Sequence, residues 1–299
     1  MSGKPLVSVY LPTHNRAPLL DRAIDSVLGQ SHAELELLIV DDASSDGTPA
    51  LLEHAARRDR RIRVLRREGA GGPAAARNDA IRRACGEFIT GLDDDDRMLP
   101  AHIERLLEAY RDEYSLVCSS CWLDYGGWLR PEPSGPETIA LEDLLHANLV
   151  GNQVLTRTSR MLEVGLFDES LAAWEDYDLW TRLVVRFGPA RRLSEPGTVR
   201  RVDPAAARIT TSSRAPEGAR QYLERYRHLM SESQRRSQQL LQCSVDGRRL
   251  GLAEARQCWG PGTRGQVLRT WINGNLPFAR GLWEAWWRLR YRRADPLRT

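Results

Sequence analysis

Four consecutive aspartates, at positions 93–96, constrain the fold of this chain more than any other feature. They follow a short apolar segment, residues 86–90, which predicts a buried strand that ends where the acidic residues begin. Four carboxylates at one strand end repel one another unless a cation or a set of backbone N–H groups compensates their charge. Oxygen ligands at this spacing suit Mg²⁺ or Mn²⁺, which share their coordination sphere with water and substrate phosphates. The alternative interpretation is a solvated acidic loop.

The sequence before the aspartates alternates between predicted strands and predicted helices. Strands are predicted at residues 7–12, 35–41 and 62–65, and helices at residues 17–28 and 74–81. This alternation predicts an α/β fold with a mostly parallel sheet and helices on both of its faces. Ligands bind outside the carboxyl ends of the strands in such sheets, and the polar residues of this chain cluster at those ends.

Composition excludes several classes of protein. The 299 residues suit one large domain or one domain with an appendage, and the net charge of +3 is too small to indicate a nucleic-acid binder. Lys4 is the only lysine, so the chain offers no Schiff-base or P-loop lysine. The G-x-S-x-G and H-E-x-x-H motifs of two hydrolase classes are absent from the sequence.

The cysteines predict a reducing compartment, and two of them are predicted to be buried. Cys118 and Cys121 have metal-ligand spacing, but no second pair completes a zinc site, and both lie in an apolar stretch. An odd number of cysteines, five, and the lack of a secretory signal predict a cytoplasmic protein. The sequence contains no run of 18 apolar residues, so no membrane-spanning helix is predicted.

The character of the sequence changes near residue 205. Beyond residue 214 the pattern is helical, and apolar residues recur on one predicted helix face. These residues are Tyr222, Leu223, Tyr226, Leu229 and Met230. A helical C-terminal extension is therefore predicted for residues 211–299.

The last segment of the chain, residues 271–293, mixes tryptophan with arginine. These residues are Trp271, Trp283, Trp286, Trp287, Arg280, Arg288, Arg290, Arg292 and Arg293. Indole rings lie at the level of lipid headgroups, and arginines attract anionic lipid, so the segment predicts a membrane-surface contact. The alternative is a tryptophan-rich helix that packs on the rest of the protein with its arginines in solvent.

Short motifs occur in a fixed order along the chain. They are Pro-Thr-His-Asn-Arg at 12–16, Val-Asp-Asp-Ala-Ser-Ser-Asp-Gly-Thr at 40–48, Ala-Arg-Asn at 76–78, Leu-Asp-Asp-Asp-Asp at 92–96, Val-Gly-Leu-Phe-Asp-Glu at 164–169 and Trp-Glu-Asp-Tyr-Asp-Leu-Trp at 174–180. In this order and rough spacing, residues 5–210 resemble the family 2 glycosyltransferases.

The resemblance implies an inverting enzyme with the GT-A fold, a Rossmann-like α/β fold that binds nucleotide sugars. The chain looks most like bacterial lipopolysaccharide-core or O-antigen transferases, with a lipid-linked cell-envelope glycan as acceptor. The preferred donor is dTDP-L-rhamnose, and the alternative is a UDP-hexose or UDP-N-acetylhexosamine. Such an enzyme would lie at the cytoplasmic face of the inner membrane as a peripheral protein.

The D-x-D motif of the family corresponds to Asp93 and Asp95. The resemblance implies that Asp95 is the direct ligand of Mn²⁺ or Mg²⁺, and that Asp93 contacts the ribose or reaches the metal through water. Asp94 occupies the variable position of this donor-site motif and is expected to be solvated. Asp96 is expected to orient water or to cap the following helix.

Asp42 resembles the family aspartate that accepts a hydrogen bond from the N3–H of uracil or thymine. A carboxylate suits that task because it only accepts, whereas the imide N–H only donates. The other residues of the implied nucleotide-sugar site are Pro12, Thr13, Asn15, Asp41, Gly72, Arg77 and Asn78. Among these, the glycine-rich loop at 71–72 resembles a phosphate cradle, and Arg77 and Asn78 lie on the helix behind it.

Glu175 and Asp176 match the Glu-Asp pair of the family. An inverting transfer needs one base to deprotonate the acceptor hydroxyl, and the resemblance assigns that role to Asp176, with Glu175 positioning it or the acceptor. Trp174, Tyr177 and Trp180 are expected to form an apolar wall that raises the pKa of Asp176 and stacks on sugar rings. The alternative is a helix N-terminus with acidic residues in its first turn.

The resulting domain prediction is a GT-A catalytic domain at residues 1–210 followed by the helical extension. Within it, residues 1–100 form the nucleotide-sugar-binding half and residues 101–210 the acceptor-binding half. A catalytically silent nucleotide- or glycan-binding module stays open as a different class. A nucleotidyltransferase would also use strand-end aspartates with Mg²⁺, but its glycine-rich signature and lysine after the first strand are missing.

Overall fold

The computed structural model has a mixed α/β fold with a mostly parallel central sheet and a helical C-terminal part, as the sequence predicts. It describes residues 3–126, 128–133, 135–151, 153–202, 214–260, 263–276 and 290. The predicted boundary at residue 210 and most of the segment from residue 277 onward lie outside these described residues.

The described residues form one sheet of ten strands. The strands are β1 (Val7–Thr13), β2 (Leu35–Asp41), β3 (Ile62–Arg66), β4 (Phe88–Gly91), β5 (Arg97–Met98), β6 (Val117–Asp124), β7 (Leu129–Pro131), β8 (Thr138–Ile139), β9 (Val154–Arg157) and β10 (Ala190–Arg201). Their main order is β3-β2-β1-β4-β9-β6-β10-β5, with β7 beside β6 and β8 beside β10. The four strands from β3 to β4 are parallel, and β9 is antiparallel to both of its neighbours.

Helices cover both faces of the sheet. In chain order they are α1 (Ala17–Leu28), α2 (Thr48–Arg58), α3 (Gly72–Ile81), α4 (His102–Ala109), α5 (Leu141–Leu144), α6 (Thr158–Glu163), α7 (Glu175–Phe187), α8 (Ala215–Tyr226), α9 (Glu232–Val245), α10 (Leu252–Cys258) and α11 (Arg264–Asn275). Alternate residues of β1 point to opposite faces, so Val9 packs with α1, α2 and α4 while Tyr10 packs with α3, α6, α7 and α8.

Register brings the predicted site residues to one edge of the sheet. Thr13 at the end of β1 pairs with Asp41 at the end of β2, and Tyr10 pairs with Gly91 at the end of β4. A Cβ at Gly91 would lie 2.2 Å from the ring of Tyr10. Only glycine at this position leaves room for the Tyr10 ring beside β4. The aspartates at 93–96 therefore begin beside the carboxyl ends of β1 and β2.

The first C-terminal helix packs on the core of the sheet. Tyr222, Tyr226 and Met230 are buried against the core that contains α7. The expectation for Leu229 is wrong, because α8 ends at Tyr226 and the Leu229 side chain is 41% exposed. Helices α9, α10 and α11 share a smaller apolar cluster of their own.

Residues 271–276 and 290 of the tryptophan-rich segment lie within the described part of the chain. Trp271 lies in α11 and is partly buried against the cluster of α9 to α11. Trp283, Trp286 and Trp287 lie outside the described residues. Among the helices that the structure describes, none is long and apolar enough to cross a membrane.

The predicted burial of two cysteines is confirmed. Cys118 and Cys121 lie on β6 as buried free thiols. Burial raises the pKa of both thiols to about 12, so they act as small apolar residues of the core.

Candidate active site

Arg77 joins the two acidic motifs of the chain. Its Nη2 donates to Asp93 Oδ1 at 3.0 Å, and its Nη1 donates to Glu175 Oε1 at 2.7 Å. Asp93 follows β4, Glu175 opens α7, and Arg77 lies on α3. The guanidinium side chain is only 11% exposed and lies 5.3 Å from the centre of the Phe167 ring. One buried cation thus brings together carboxylates that are 82 positions apart in the sequence.

Asp176 lies beside this ion pair. Burial raises its pKa, the Glu175 carboxylate raises it further, and Arg77 partly opposes both, which leaves a pKa of about 7. For Arg77, burial lowers the pKa, but Asp93 and Glu175 outweigh it and hold the pKa above its usual value. Asp176 is therefore poised to exchange a proton near neutral pH, the property that a general base requires.

The backbone is strained where it enters the site. Trp174, which precedes Glu175, has a φ of 66°, and Asn15 and Ala43 have φ values of 54° and 59°. Among the described residues, one further non-glycine residue, Leu166, has positive φ. Such left-handed conformations cost on the order of 1–3 kcal/mol each and persist only where the surroundings enforce them.

Asp94 corrects the expectation of a solvated side chain. Its Oδ2 accepts a hydrogen bond from Thr13 Oγ1 at 2.8 Å, and Arg16 Nε lies 3.8 Å from Oδ1. Burial raises the pKa of Asp94 to about 6, with Asp93 and Asp95 raising it and Thr13 and Arg16 lowering it. The side chain ties the start of the acidic motif to the end of β1.

Asp96 is also placed differently from the expectation. It is buried, and it accepts hydrogen bonds from the Arg201 backbone N–H at 2.9 Å and from Gln153 Nε2 at 3.1 Å. Burial raises its pKa well above the usual value. Asp96 therefore anchors β10 and does not cap the helix that follows. Asp95 lies between these anchored neighbours and is half-buried.

Asp42 organises the glycine-rich loop. Its two carboxylate oxygens accept the N–H groups of Gly71 at 2.9 Å and Gly72 at 2.8 Å, and Arg67 Nε lies 3.0 Å from Oδ1. The expectation of a phosphate cradle at Gly72 is therefore corrected, because these two donors are directed at Asp42. Asp41 is buried, and its Oδ1 accepts the Ser44 N–H at 2.9 Å.

Asn15 fixes the turn that follows β2. Its Oδ1 accepts the N–H groups of Ser45 at 2.8 Å and Asp46 at 3.3 Å. His14 Nδ1 lies 2.7 Å from the Asp42 carbonyl oxygen, which fixes the ring against the same turn. Together with Pro12 at the end of β1, these residues form one wall beside Asp42.

Asn78 faces away from the nucleotide-sugar site that the resemblance implies. Its Nδ2 donates to the Phe167 carbonyl and to Glu169 Oε1, both at 2.8 Å, and its Oδ1 accepts the Phe167 N–H at 3.0 Å. This fully committed amide fixes the segment that places the Phe167 ring under Arg77. Sequence reasoning found the motif around Phe167 but gave it no role, because only the fold shows which side chain it supports.

The expected aromatic wall is corrected as well. Tyr177 and Trp180 are buried in the core, where Trp180 Nε1 donates to the Gly151 carbonyl at 2.8 Å. Trp174 is half-buried and is the member of the three that reaches the surface. The predicted rise in the pKa of Asp176 is borne out in direction, with general burial as its largest cause.

The metal expectation is compatible with the donor set. Among the described residues, no group of three or more His, Cys, Asp or Glu side chains is arranged to hold a metal. Mg²⁺ and Mn²⁺ sites in phosphate-dependent enzymes commonly use only one or two carboxylates and complete their shell with water and substrate phosphates. Asp93 and Asp95, at one strand end and partly exposed, fit that description.

With this geometry in place, comparison with known proteins identifies the class. Residues 8–170 match the model of the family described as glycosyl transferase family 2. The matched region is more than half of the chain, so the chain belongs to glycosyl transferase family 2.

Several curated proteins are similar to the chain. WcaA of Escherichia coli K12, a glycosyl transferase provisionally assigned to colanic acid biosynthesis, is 35% identical over 228 residues, which cover 73% of this chain and 80% of WcaA. The GalNAc(5)-diNAcBac-PP-undecaprenol β-1,3-glucosyltransferase of Campylobacter jejuni is 32% identical over 185 residues, or 60% of each protein. TuaG of Bacillus subtilis 168, provisionally assigned to teichuronic acid biosynthesis, is 36% identical over 50% of this chain and 60% of TuaG. The matched region thus spans most of WcaA and less than two thirds of the other two.

Solved structures establish the fold. The 1–349 form of S. aureus TarS, solved with UDP-GlcNAc, superposes with a TM-score of 0.63 and 20% identity over 90% of this chain and 79% of that chain. The mannosyltransferase PcManGT from Pyrobaculum calidifontis, solved with GDP-Man and Mn²⁺, gives a TM-score of 0.62 and 20% identity over 96% of this chain and 81% of that chain. The predicted GT-A fold is confirmed.

The Arg77 bridge predicts a large effect on stability. Arg77→Met should lower the free energy of unfolding by about 3–5 kcal/mol, because it leaves the partly buried Asp93 and Glu175 carboxylates without their cation. Arg83→Met is the matched control, since the Arg83 side chain is exposed and lies 3.8 Å from Asp79, so this ion pair should contribute less than about 1 kcal/mol. Urea unfolding of the two variants measures the difference, and similar losses would show that the bridge does not stabilise the fold.

Proposed function

We propose that this protein is a metal-dependent, inverting glycosyltransferase that extends a lipid-linked glycan of the bacterial cell envelope. The single observation that carries the proposal is the meeting of Asp93 with the Glu175–Asp176 pair through Arg77. It joins a strand-end carboxylate suited to a nucleotide diphosphate and metal with a carboxylate suited to proton removal. A silent binding module has no need of an Asp176 pKa near 7 beside the donor carboxylates.

The donor side of the site contains Asp93 and Asp95 as the residues that would hold Mn²⁺ or Mg²⁺. When bound there, such an ion neutralises the charge of the leaving diphosphate. Thr13, Asn15, Asp41 and Asp42 surround the position proposed for the base and ribose. Asp42 keeps free lone pairs beside its bonds to Gly71 and Gly72, since a carboxylate can accept about four hydrogen bonds.

Asp176 acts as the general base in the proposed mechanism. It accepts the proton of the acceptor hydroxyl while that oxygen attacks the anomeric carbon in line with the departing diphosphate, so the configuration inverts. Glu175 is held by Arg77 and lies about 100° around the helix from Asp176. Glu175 therefore orients the site, and Asp176 performs the proton transfer.

The relatives guide the choice of donor and acceptor. The name of the Campylobacter protein describes a glucosyltransferase acting on an undecaprenol-linked glycan, which favours a hexose as the transferred sugar and a polyprenol-linked acceptor. The earlier preference for dTDP-L-rhamnose and the UDP-N-acetylhexosamine alternative stay predictions. One assay that measures thermal stabilisation and donor hydrolysis across UDP-, dTDP- and GDP-sugars with Mn²⁺ compares them all.

Asp176→Asn tests the mechanism directly. The variant should transfer sugar about 10²–10⁴-fold more slowly, because the amide has the same shape but cannot accept the proton. Wild-type kcat/KM should fall as the pH drops below about 7, where the Asp176 carboxyl becomes protonated. Glu175→Gln is the matched control and should cost less. Transfer by Asp176→Asn at the wild-type rate would place the base elsewhere.

Asp93→Ala and Asp95→Ala test the donor side. Both variants should lose metal-dependent binding of the donor nucleotide. Asp95→Ala removes a charge from a cluster of like charges and should keep the stability of the fold, whereas Asp93→Ala also removes a partner of Arg77 and should be less stable. Asp21→Ala, an exposed aspartate on α1, is the control for loss of negative charge. Calorimetry with nucleotide and Mn²⁺ provides the measurement, and wild-type affinity in the first two variants would refute the metal assignment.

We further propose that the C-terminal segment binds the cytoplasmic surface of the inner membrane. Leu252, Trp259 and Leu268 on and beside α10 and α11 are at least half exposed, and Arg256, Arg264 and Arg269 accompany them. Apolar side chains interspersed with arginine suit an anionic lipid surface.

Truncation after residue 276, combined with Leu252→Ser, Trp259→Ser and Leu268→Ser, tests the membrane proposal, because the cut alone keeps the exposed apolar side chains that support it. The cut should keep α11, because Val267 and Gln266 pack on α9. Flotation with anionic vesicles should fall, since the cut removes tryptophans and arginines. Turnover of a soluble acceptor should stay unchanged. Zwitterionic vesicles are the control for charge, and equal flotation of both proteins would assign the segment to ordinary packing.

A further inference from the structure

One aromatic side chain of the C-terminal part touches both residues that flank the catalytic pair. The Tyr222 ring of α8 stacks on Tyr177 with centroids 3.9 Å apart and an interplanar angle of 17°. The same ring meets Trp174 edge-on at 5.9 Å. Trp174 and Tyr177 directly precede and follow Glu175 and Asp176 in the sequence. Tyr222 itself is 1% exposed, so its contacts are made inside the protein.

The backbone of α8 approaches the same turn closely. A Cβ at Gly218 would lie 2.5 Å from the Ala173 carbonyl oxygen, so a side chain there would force the helix away. Gln221 Oε1 accepts the Ala172 N–H at 3.0 Å. Residues 172–174 are therefore held by α8 through a backbone contact and a hydrogen bond.

Charged contacts one turn further along fix the two helices in register. Arg225 Nη1 and the Tyr226 hydroxyl donate to Asp178 Oδ1 at 2.7 and 2.8 Å. Arg225 Nη2 also donates to Asp168 Oδ2 at 2.6 Å. Asp178 is 1% exposed, so these bonds resist exchange with water and prevent α7 from sliding along α8.

The strained turn at Trp174 explains why such a clamp is needed. With a φ of 66°, Trp174 would relax toward an ordinary conformation if its surroundings allowed it. Relaxation would rotate the first residues of α7, which carry the two carboxylates. The Tyr222 ring blocks that movement because it packs on Trp174 before the two carboxylates and on Tyr177 after them. Its hydroxyl lies 2.9 Å from Thr181 Oγ1.

We propose that Tyr222 is a positioning residue for Asp176: its ring clamps Trp174 and Tyr177 and so holds the base in line with the acceptor hydroxyl. The proposal rests on the role of Asp176 as general base. It makes the first C-terminal helix part of the catalytic apparatus, in addition to any role of the later segment at a membrane.

The test compares variants of Tyr222 with a control in the same C-terminal part. Tyr222→Ala removes the clamp, Tyr222→Leu removes the flat ring but keeps apolar volume in case the first variant fails to fold, and Tyr222→Phe keeps the ring. Leu240→Ala is the matched control, because Leu240 is equally buried but packs in the cluster of α9 to α11. Each protein is measured for transfer kinetics and for hydrogen exchange of the Asp178 amide, which donates to the Trp174 carbonyl at 3.0 Å.

Loss of the clamp should lower kcat and leave donor KM nearly unchanged. Tyr222→Ala and Tyr222→Leu should reduce kcat by about 10- to 100-fold, the loss expected for a displacement of about 1 Å. The Asp178 amide should exchange about tenfold faster in both, and Tyr222→Phe and Leu240→Ala should resemble the wild type. In the Asp176→Asn background, Tyr222→Ala should add less than about a twofold loss, because its effect passes through Asp176.

Three results would overturn the proposal. The first is equal loss of kcat in Tyr222→Ala and Leu240→Ala, which indicates general destabilisation. The second is unchanged exchange of the Asp178 amide in the Tyr222 variants. The third is full additivity of Tyr222→Ala with Asp176→Asn. Wild-type transfer by Asp176→Asn alone would instead refute the proposed base, and the exchange comparison would still decide whether Tyr222 holds the turn.

Discussion

The buried Arg77 guanidinium is the constraint on which the rest of the site depends. A cation with 11% exposure is tolerated only if it is paired, and its planar fork reaches Asp93 and Glu175 with separate nitrogens. These partners lie on different elements, so α3, the end of β4 and the start of α7 can take only one relative arrangement. Asn78, the next residue, extends this arrangement by holding Phe167 against the same guanidinium.

Burial and hydrogen bonding explain how four consecutive aspartates share one strand end. Asp93 is compensated by Arg77, and burial raises the pKa of Asp94 to about 6 and that of Asp96 well above normal. Asp94 and Asp96 bind neighbouring strands through Thr13 and the Arg201 N–H. Two of the four residues therefore anchor the motif, which leaves Asp93 and Asp95 as the members that suit a metal and a nucleotide diphosphate.

The proposed general base depends on a different set of contacts. Asp176 owes its pKa of about 7 to burial and to Glu175, and it lies in the first turn of α7, which begins directly after the strained residue Trp174. Helix α8 holds this strained turn in place, and it lies far from the family motifs in the sequence. Membership of glycosyl transferase family 2 rests on residues 8–170, whereas the helix that braces the proposed base follows that region.

The sequence by itself determined the order of β1 to β4 with α1 and α3, the GT-A class of fold and the acidic residues at the strand ends. These features are local: β2 and α1 were predicted within a residue of their bounds because apolar periodicity and terminal polar residues mark them directly. Only the tertiary structure decided the partners of those residues. The burial of Asp94, the turning of the Gly71 and Gly72 amides toward Asp42 and the commitment of Asn78 to Phe167 all depend on contacts between distant segments. The same holds for Tyr222, because a sequence pattern reports that a helix face is apolar but not which turn it packs against.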